Sequence, residues 1–423
     1  MFISEAHRRR WRRPVIIGGA ALLVLVAGLL IAYAVLENRN DDVHHGDQVE
    51  FTAPPPAKPK DHTVDWPFYH YNAAHTGYLP ADIRPPFKER WVFSGKVLME
   101  FPSIVVNGSV YFVRNNGGTY RLDADTGKVK WKNRLGSLSA STPAYSDGRL
   151  FVSSLSGKIV ALRAKNGKLL WQKQLGARTE SSPVVKNGVV YFGTEGGALY
   201  ALWERTGRVK WKYQASGAIK ASPALSGNTA YVGDYSGRMY AVWARTGRER
   251  WSTGTSGTKL GFSSGNFYST PAVAFGRVYV GNTDGKVYSF GANTGEIAWS
   301  KSTGGYVYSS PAAADIGGRP MVYAGSYDGN LYAFEARSGS VRWTARGGGR
   351  ISGGPTVIGN VVYFADLDSK STYGVDARTG KRVFRRSRGL YNPVVSDGQR
   401  LYVTGYASVT ALDPVHKPRR NSR

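Results

Sequence analysis

Four residues in successive units of one repeat put an acid, a base and two phenols at the same relative position: Glu180, Lys220, Tyr268 and Tyr308. Each lies three residues before a proline, Pro183, Pro223, Pro271 and Pro311. Brought together, a carboxylate, an ammonium and two amphipathic rings can grip a small ligand or a peptide by ion pairing, hydrogen bonding and aromatic contact. The competing reading is the ordinary polar lining of a channel. In the other units this position holds Met99, Ala140, Ser352 and Leu390, which offer packing or a lone hydroxyl. A second candidate is the insertion STGTSGTKLGFSSGNFYSTP, Ser252 to Pro271. Extra length in a regular array falls in a loop, and loops carry binding. Phe262 and Phe267 give this one an apolar component suited to a partner.

Several chemistries are excluded. The chain has no Cys, so it has no disulfide, thiolate metal site or Cys nucleophile. The seven His are His7, His44, His45, His62, His70, His75 and His416, so none falls within residues 76–415. A His-ligated zinc site or a Ser-His-Asp triad inside the repeats is therefore ruled out. No residue is assigned a catalytic role, and no metal ligand set is found.

The elements that must position the candidates repeat about every 40 residues. VYFGTEGGALYALWERTGRVKW, Val190 to Trp211, returns as AYVGDYSGRMYAVWARTGRERW, Ala230 to Trp251. The closing aromatic falls at Trp91, Trp131, Trp171, Trp211, Trp251, Trp299, Trp343 and Phe384. The opening proline falls at Pro102, Pro143, Pro183, Pro223, Pro271, Pro311, Pro355 and Pro393. Both series count eight. Each unit reads as four short strands, with Gly supplying the positive φ that tight turns require. Four strands at this period predict an all-β, eight-bladed propeller over residues 65–413. The eighth unit stops at Asp413-Pro414 without a closing strand, while KERWVFSG, Lys88 to Gly95, is a closing strand without a unit. Pairing the two would close the ring and remove an open sheet edge. The eight aromatics are read as docking side chains that pack blade against blade.

The ends carry different signals. Residues 1–13 are basic, and Pro14 to Leu36 is an uncharged run of 23 residues. As a helix that run would cover about 34 Å, enough to cross a bilayer. Its length favours an uncleaved signal-anchor over a cleaved signal peptide ending near Ala32–Ala34. The preceding Arg cluster predicts a cytoplasmic N-terminus, with the propeller outside the plasma membrane. Residues 37–64 contain APPPAKPKD and read as a Pro-rich linker; residues 414–423 read as a basic, disordered tail. The net charge of +27 predicts attraction to anionic partners. An external location makes these envelope proteins or anionic cell-wall polymers, not nucleic acid.

RLDADTGKVKW, Arg121 to Trp131, and its partial copies ALWERTGRVKW and AVWARTGRERW resemble the Trp-docking motif of the pyrroloquinoline quinone (PQQ)-type β-propeller family. The Asp of that motif stands at Asp123, Asp376 and Asp413 and is replaced by Arg163, Trp203, Trp243, Gly291 and Glu335 elsewhere. DWPFYHYNAAHTGYLP, Asp65 to Pro80, resembles the segment before the first blade in such proteins. The resemblance implies a quinoprotein-like fold. Its dehydrogenase members imply PQQ, calcium, a catalytic Asp and an adjacent Cys pair, and this chain has no Cys. Its BamB-like, non-catalytic members imply a binding scaffold or sensor in the cell envelope, which is the leading expectation. A PQQ-dependent dehydrogenase and a polysaccharide-binding propeller are the alternatives. A partner could also add a strand to an exposed blade edge.

Overall fold

A computed structural model describes residues 25–29, 42–53, 63–255, 265–391 and 394–415. The described residues from Val43 onward form one compact unit. Of the apolar run expected to cross a membrane, only residues 25–29 are described, and they are helical; the rest of 14–36 lies outside the described residues. Among the described residues no helix is long and apolar enough to cross a membrane.

The eight expected blades form. Each is an antiparallel meander whose first strand is innermost and whose fourth is outermost. Blades 1 to 4 occupy residues 104–134, 144–174, 184–214 and 224–254; blades 5 to 7 occupy 272–302, 312–346 and 356–386. Blade 8 takes three strands from residues 395–414 and its outer strand from Phe87–Ser94, with Trp91 opposite Ala411. The ring is thus closed by the two ends of the array. The two strands pair from Phe87 to Ser94 with one register shift beside Trp91, so no blade is left without its outer strand.

The closing aromatics bind blade to blade through one contact. The indole N–H of Trp171 donates to the Glu204 carbonyl of the next blade at 2.8 Å, and Trp211 donates to Ala244 at 2.9 Å. Trp91, Trp131, Trp251, Trp299 and Trp343 do the same at 2.9–3.2 Å. The ring of each lies on the Gly of the next blade's Thr-Gly or equivalent turn. At Gly207, with φ +67°, an added Cβ would stand 2.5 Å from the Trp171 ring. Glycine is therefore required there twice, for its backbone and for its missing side chain. A tyrosine on the second strand often shares the same acceptor: the Tyr191 hydroxyl donates to the Ala244 carbonyl at 3.1 Å. Blade 8 has no such turn, and its neighbour accordingly closes with Phe384, whose ring meets Phe87 edge-on at 5.6 Å. A second belt runs around the channel. Hydroxyls just before the opening prolines link adjacent blades, as in Ser181 to the Ala221 carbonyl and Ser269 to the Ser309 carbonyl.

Two segments outside the blades are ordered by the ring. Residues 43–53, expected within the linker, lie instead against blades 5 and 6. His44 bridges Trp299 as a short added strand. The buried Arg277 guanidinium donates to the carbonyls of Gly46, Val49, Glu50 and Arg337. Residues 63–80 then enter the channel. Their backbone groups bond to Asp397 of blade 8, Val105 of blade 1, Tyr145 of blade 2, Leu225 of blade 4, Val273 of blade 5, Ala313 of blade 6 and Val357 of blade 7. Tyr78–Leu79 also pairs, in parallel, with the innermost strand of blade 7. This segment visits nearly every blade and fills the axis from one end.

Candidate binding site at the channel mouth

The other end of the axis is open. A cavity of about 240 Å³ lies there, and Glu180, Lys220, Tyr268 and Tyr308 all line it, together with Ser352. The reason is topological. The residue three before each proline precedes the innermost strand, so the ring brings this position together from every blade. Met99, Ala140 and Leu390 occupy the same position but are buried. Phe267 does not join the site. It is fully buried and packs edge-on against Tyr288 and Phe290, so it is a core residue rather than a partner contact. Burial of a large ring inside the blade outweighs any exposure its loop could give. Phe262 lies outside the described residues.

One wall of the cavity is a charged cluster. The Lys220 ammonium sits 3.2 Å from the Glu180 carboxylate and 3.7 Å from Glu195; Arg178 lies 3.3 Å from Glu195. Burial raises the Glu180 carboxyl above its ordinary range, against the pull of Lys220. The other wall is tyrosine. Tyr268 meets Tyr308 edge-on at 5.6 Å, Tyr308 meets Tyr327 at 4.8 Å, and Tyr235 lies 6.3 Å from Tyr268. The Lys220 ammonium lies 5.5 Å over the Tyr235 ring, which joins the two walls. Burial pushes the phenols of Tyr235, Tyr268 and Tyr308 up, so they are neutral donors at any physiological pH.

The floor comes from the segment that fills the axis. Tyr69 donates to the Ser310 hydroxyl at 3.1 Å, and burial pushes its phenol up to about 12. His70 stacks beneath it at 4.6 Å. His75 is held by the Tyr69 carbonyl at 2.6 Å and by Ser222 and the Pro223 carbonyl at 3.1 Å. Burial lowers His70 to about 3 and His75 to about 4, so both imidazoles are neutral.

Repeat-position reasoning missed Glu195, Tyr235 and Tyr327. They share a second variable position, two residues before the Gly of the turn between strands two and three: Glu195-Gly-Gly, Tyr235-Ser-Gly and Tyr327-Asp-Gly. Aligning the units at that turn exposes it. Tyr69 carries no repeat signal at all.

A family model described as outer membrane protein assembly factor BamB matches residues 115–315 and 314–415. The chain belongs to this PQQ-like β-propeller family. Among solved structures, BamB from Moraxella catarrhalis is 18% identical, with 78% of this chain and 100% of that chain covered and a TM-score of 0.66. A europium-containing methanol dehydrogenase is 14% identical, with 84% and 98% covered and a TM-score of 0.72. Quinohemoprotein alcohol dehydrogenase from Comamonas testosteroni is 15% identical, with 85% and 82% covered and a TM-score of 0.69. At these identities the likeness is one of fold. Comparison with curated proteins finds no match to the sequence.

The dehydrogenase neighbours raise the question of PQQ and calcium. The residues at this mouth do not fit that pair. The quinone is a tricarboxylate and needs free cations, whereas Lys220 and Arg178 are already held by Glu180 and Glu195. Among the described residues, no three His, Cys, Asp or Glu side chains are grouped to hold a metal ion.

Proposed function

We propose that this protein is a non-catalytic binding propeller of the cell envelope, and that its channel mouth receives a segment of a partner protein. The carrying observation is the pairing of a tyrosine wall with the Glu180–Lys220–Glu195 cluster around one open cavity. Tyrosine gives large contact area at low cost in side-chain entropy, and its hydroxyl serves either a backbone or a side chain of the partner. The ion-paired cluster is preorganised and presents a fixed polar pattern that a partner segment can meet by hydrogen bonds with the pairs intact. The apolar run of residues 14–36, the basic residues before it and the high net positive charge support an anchored propeller outside the plasma membrane.

The test is site-specific photo-crosslinking in intact cells from a probe at Ser352, with a probe at Lys132, exposed on the outer strand of blade 1, as control. A partner protein is expected from the cavity probe alone, and Lys220→Ala with Tyr268→Ala should reduce its yield at least about tenfold, the range of interface hot spots. Undiminished yield would remove the cavity from the function. Dye-linked alcohol oxidation by purified protein supplied with PQQ and calcium would replace the binding reading with a dehydrogenase.

A further inference from the structure

A different surface departs from the repeat on the opposite end of the blades. The third strand of each blade runs away from the cavity mouth into the Thr-Gly turn, so these turns form the far rim. In blades 1 and 7 the turn is capped by the motif Asp. Asp123 accepts from the backbone N–H of Asp125 and Thr126 and from the Thr126 hydroxyl, and Asp376 repeats the pattern. Blades 3 and 4 give up that cap and place tryptophan there. Trp203 is 45% exposed and Trp243 is 40% exposed, whereas the docking indoles Trp211 and Trp251 of the same blades are 8% exposed. The turn gives up the hydrogen bonds of that cap, and each indole leaves close to half of its surface to solvent. Neither change is required by the repeat, since blades 1 and 7 form with the capping Asp.

The neighbourhood of the two indoles is cationic and apolar together. The turns of blades 2, 3 and 4 read RAKNGKLL (163–170), WERTGRVK (203–210) and WARTGRER (243–250). They hold nine Lys or Arg against two Glu, and Glu204 is buried. Lys210 lies 4.8 Å over the Trp203 ring and Arg250 lies 4.3 Å over Trp243. Leu169, Leu170 and Val209 are exposed on the same arc. Beside Trp203 is a groove of about 750 Å³ walled by Arg205, Arg208 and Val209, with Asp147 at its edge. The rest of the rim lacks this combination: blades 1, 7 and 8 carry Asp at the tryptophan position, and blade 6 carries Glu335.

We propose that the rim of blades 2 to 4 is a docking surface for an anionic phospholipid bilayer. Indoles and leucines favour the headgroup boundary, and the arginines pair with lipid phosphates; each basic residue adds an increment that several together make strong. A soluble polyanion would use the charges but has no use for exposed Leu169 and Leu170. Docked this way, the rim meets the lipid and the cavity faces away from it.

The experiment uses residues 43–423, which contain all eight sheets and the closing strand and omit the apolar run that would itself enter a bilayer. The fragment is sedimented with vesicles of phosphatidylcholine, with or without one-third phosphatidylglycerol. Binding is expected only to the anionic vesicles and should fall as salt rises. Trp203→Ser with Trp243→Ser should weaken it roughly tenfold and reduce quenching of fluorescence by brominated lipid. Arg205→Ala, Arg208→Ala and Arg248→Ala together should weaken it about 100-fold. All five residues are exposed, so the melting temperature should hold. Vesicle binding equal to wild type in both variants overturns the proposal. So does Trp-dependent binding of a soluble anionic polysaccharide as tight as that of the vesicles, which would assign the rim to a polymer instead.

Discussion

His70 shows how a single residue ties the floor of the site to the stability of the ring. It lies in the channel with a left-handed backbone, fully enclosed, and neither ring nitrogen makes a hydrogen bond of ordinary geometry. Burial, and secondarily the nearby His75, lower its pKa to about 3, while burial lowers His75 to about 4. In the unfolded chain both titrate near 6.5. A depressed folded value means that the stabilising contribution is fully present above pH 6.5. It is lost as the pH falls through that value toward 4, because the unfolded state then binds protons that the folded state refuses. Each histidine adds a slope of up to about 1.4 kcal/mol per pH unit in this window. His70→Phe should remove one such slope from urea unfolding measured between pH 6 and 4.5. An unchanged slope would mean that His70 is protonated or exposed in the fold.

At the scale of the element, one unit is a meander whose outer strand carries an indole for the next blade and whose last turn receives one from the blade before. The register shifts beside the indole in every blade that carries it, as between Ala201 and Leu202 opposite Trp211 and Val209. Blade 7 shows the same shift opposite Phe384, so the bulge belongs to the unit whichever aromatic it carries. The socket is a glycine with positive φ, so it tolerates no side chain. Gly207→Ala should cost about 2–4 kcal/mol, from backbone strain together with displacement of the Trp171 ring. Thermal unfolding followed by near-UV circular dichroism would show an earlier transition and a weakened indole signal. A melting curve like that of wild type would mean that the Trp171 contact is dispensable.

For the whole molecule the decisive contact is the seam of blade 8. Phe87–Ser94 and Ser408–Pro414 are separated by the entire ring, yet pair along their length. Most other strand pairings are local, so this one long-range pairing converts eight stacked hairpin pairs into a closed object. Phe93→Pro removes a donor from the seam, where Phe93 stands opposite Val409, and should open it. The exposed edge then has no partner except a second copy. Light scattering after size exclusion should show species larger than those of wild type; an unchanged size and stability would mean that the seam is not what closes the ring.

The period, the number of blades and the seam were all legible in the chain, because each blade must solve the same local problem with the same residues. A turn needs glycine, an indole needs a flat socket, and an orphan strand at one end needs the unit that lacks one. The positions where units disagree could also be read off, and four of them, Glu180, Lys220, Tyr268 and Tyr308, meet at the mouth because the ring aligns them. Phe267 was beyond that reasoning, since its burial depends on Tyr288 and Phe290 reached across a turn. So was the course of residues 43–53 and 63–80. Nothing periodic marks them, and their place follows only from carbonyls and cavities that the closed ring creates, as the four carbonyls around Arg277 and the floor built by Tyr69 and His70 illustrate. Repetition is local physics and is written in the sequence. A channel, its floor and the two faces of the ring exist only once distant blades have met, so only the tertiary structure could decide them.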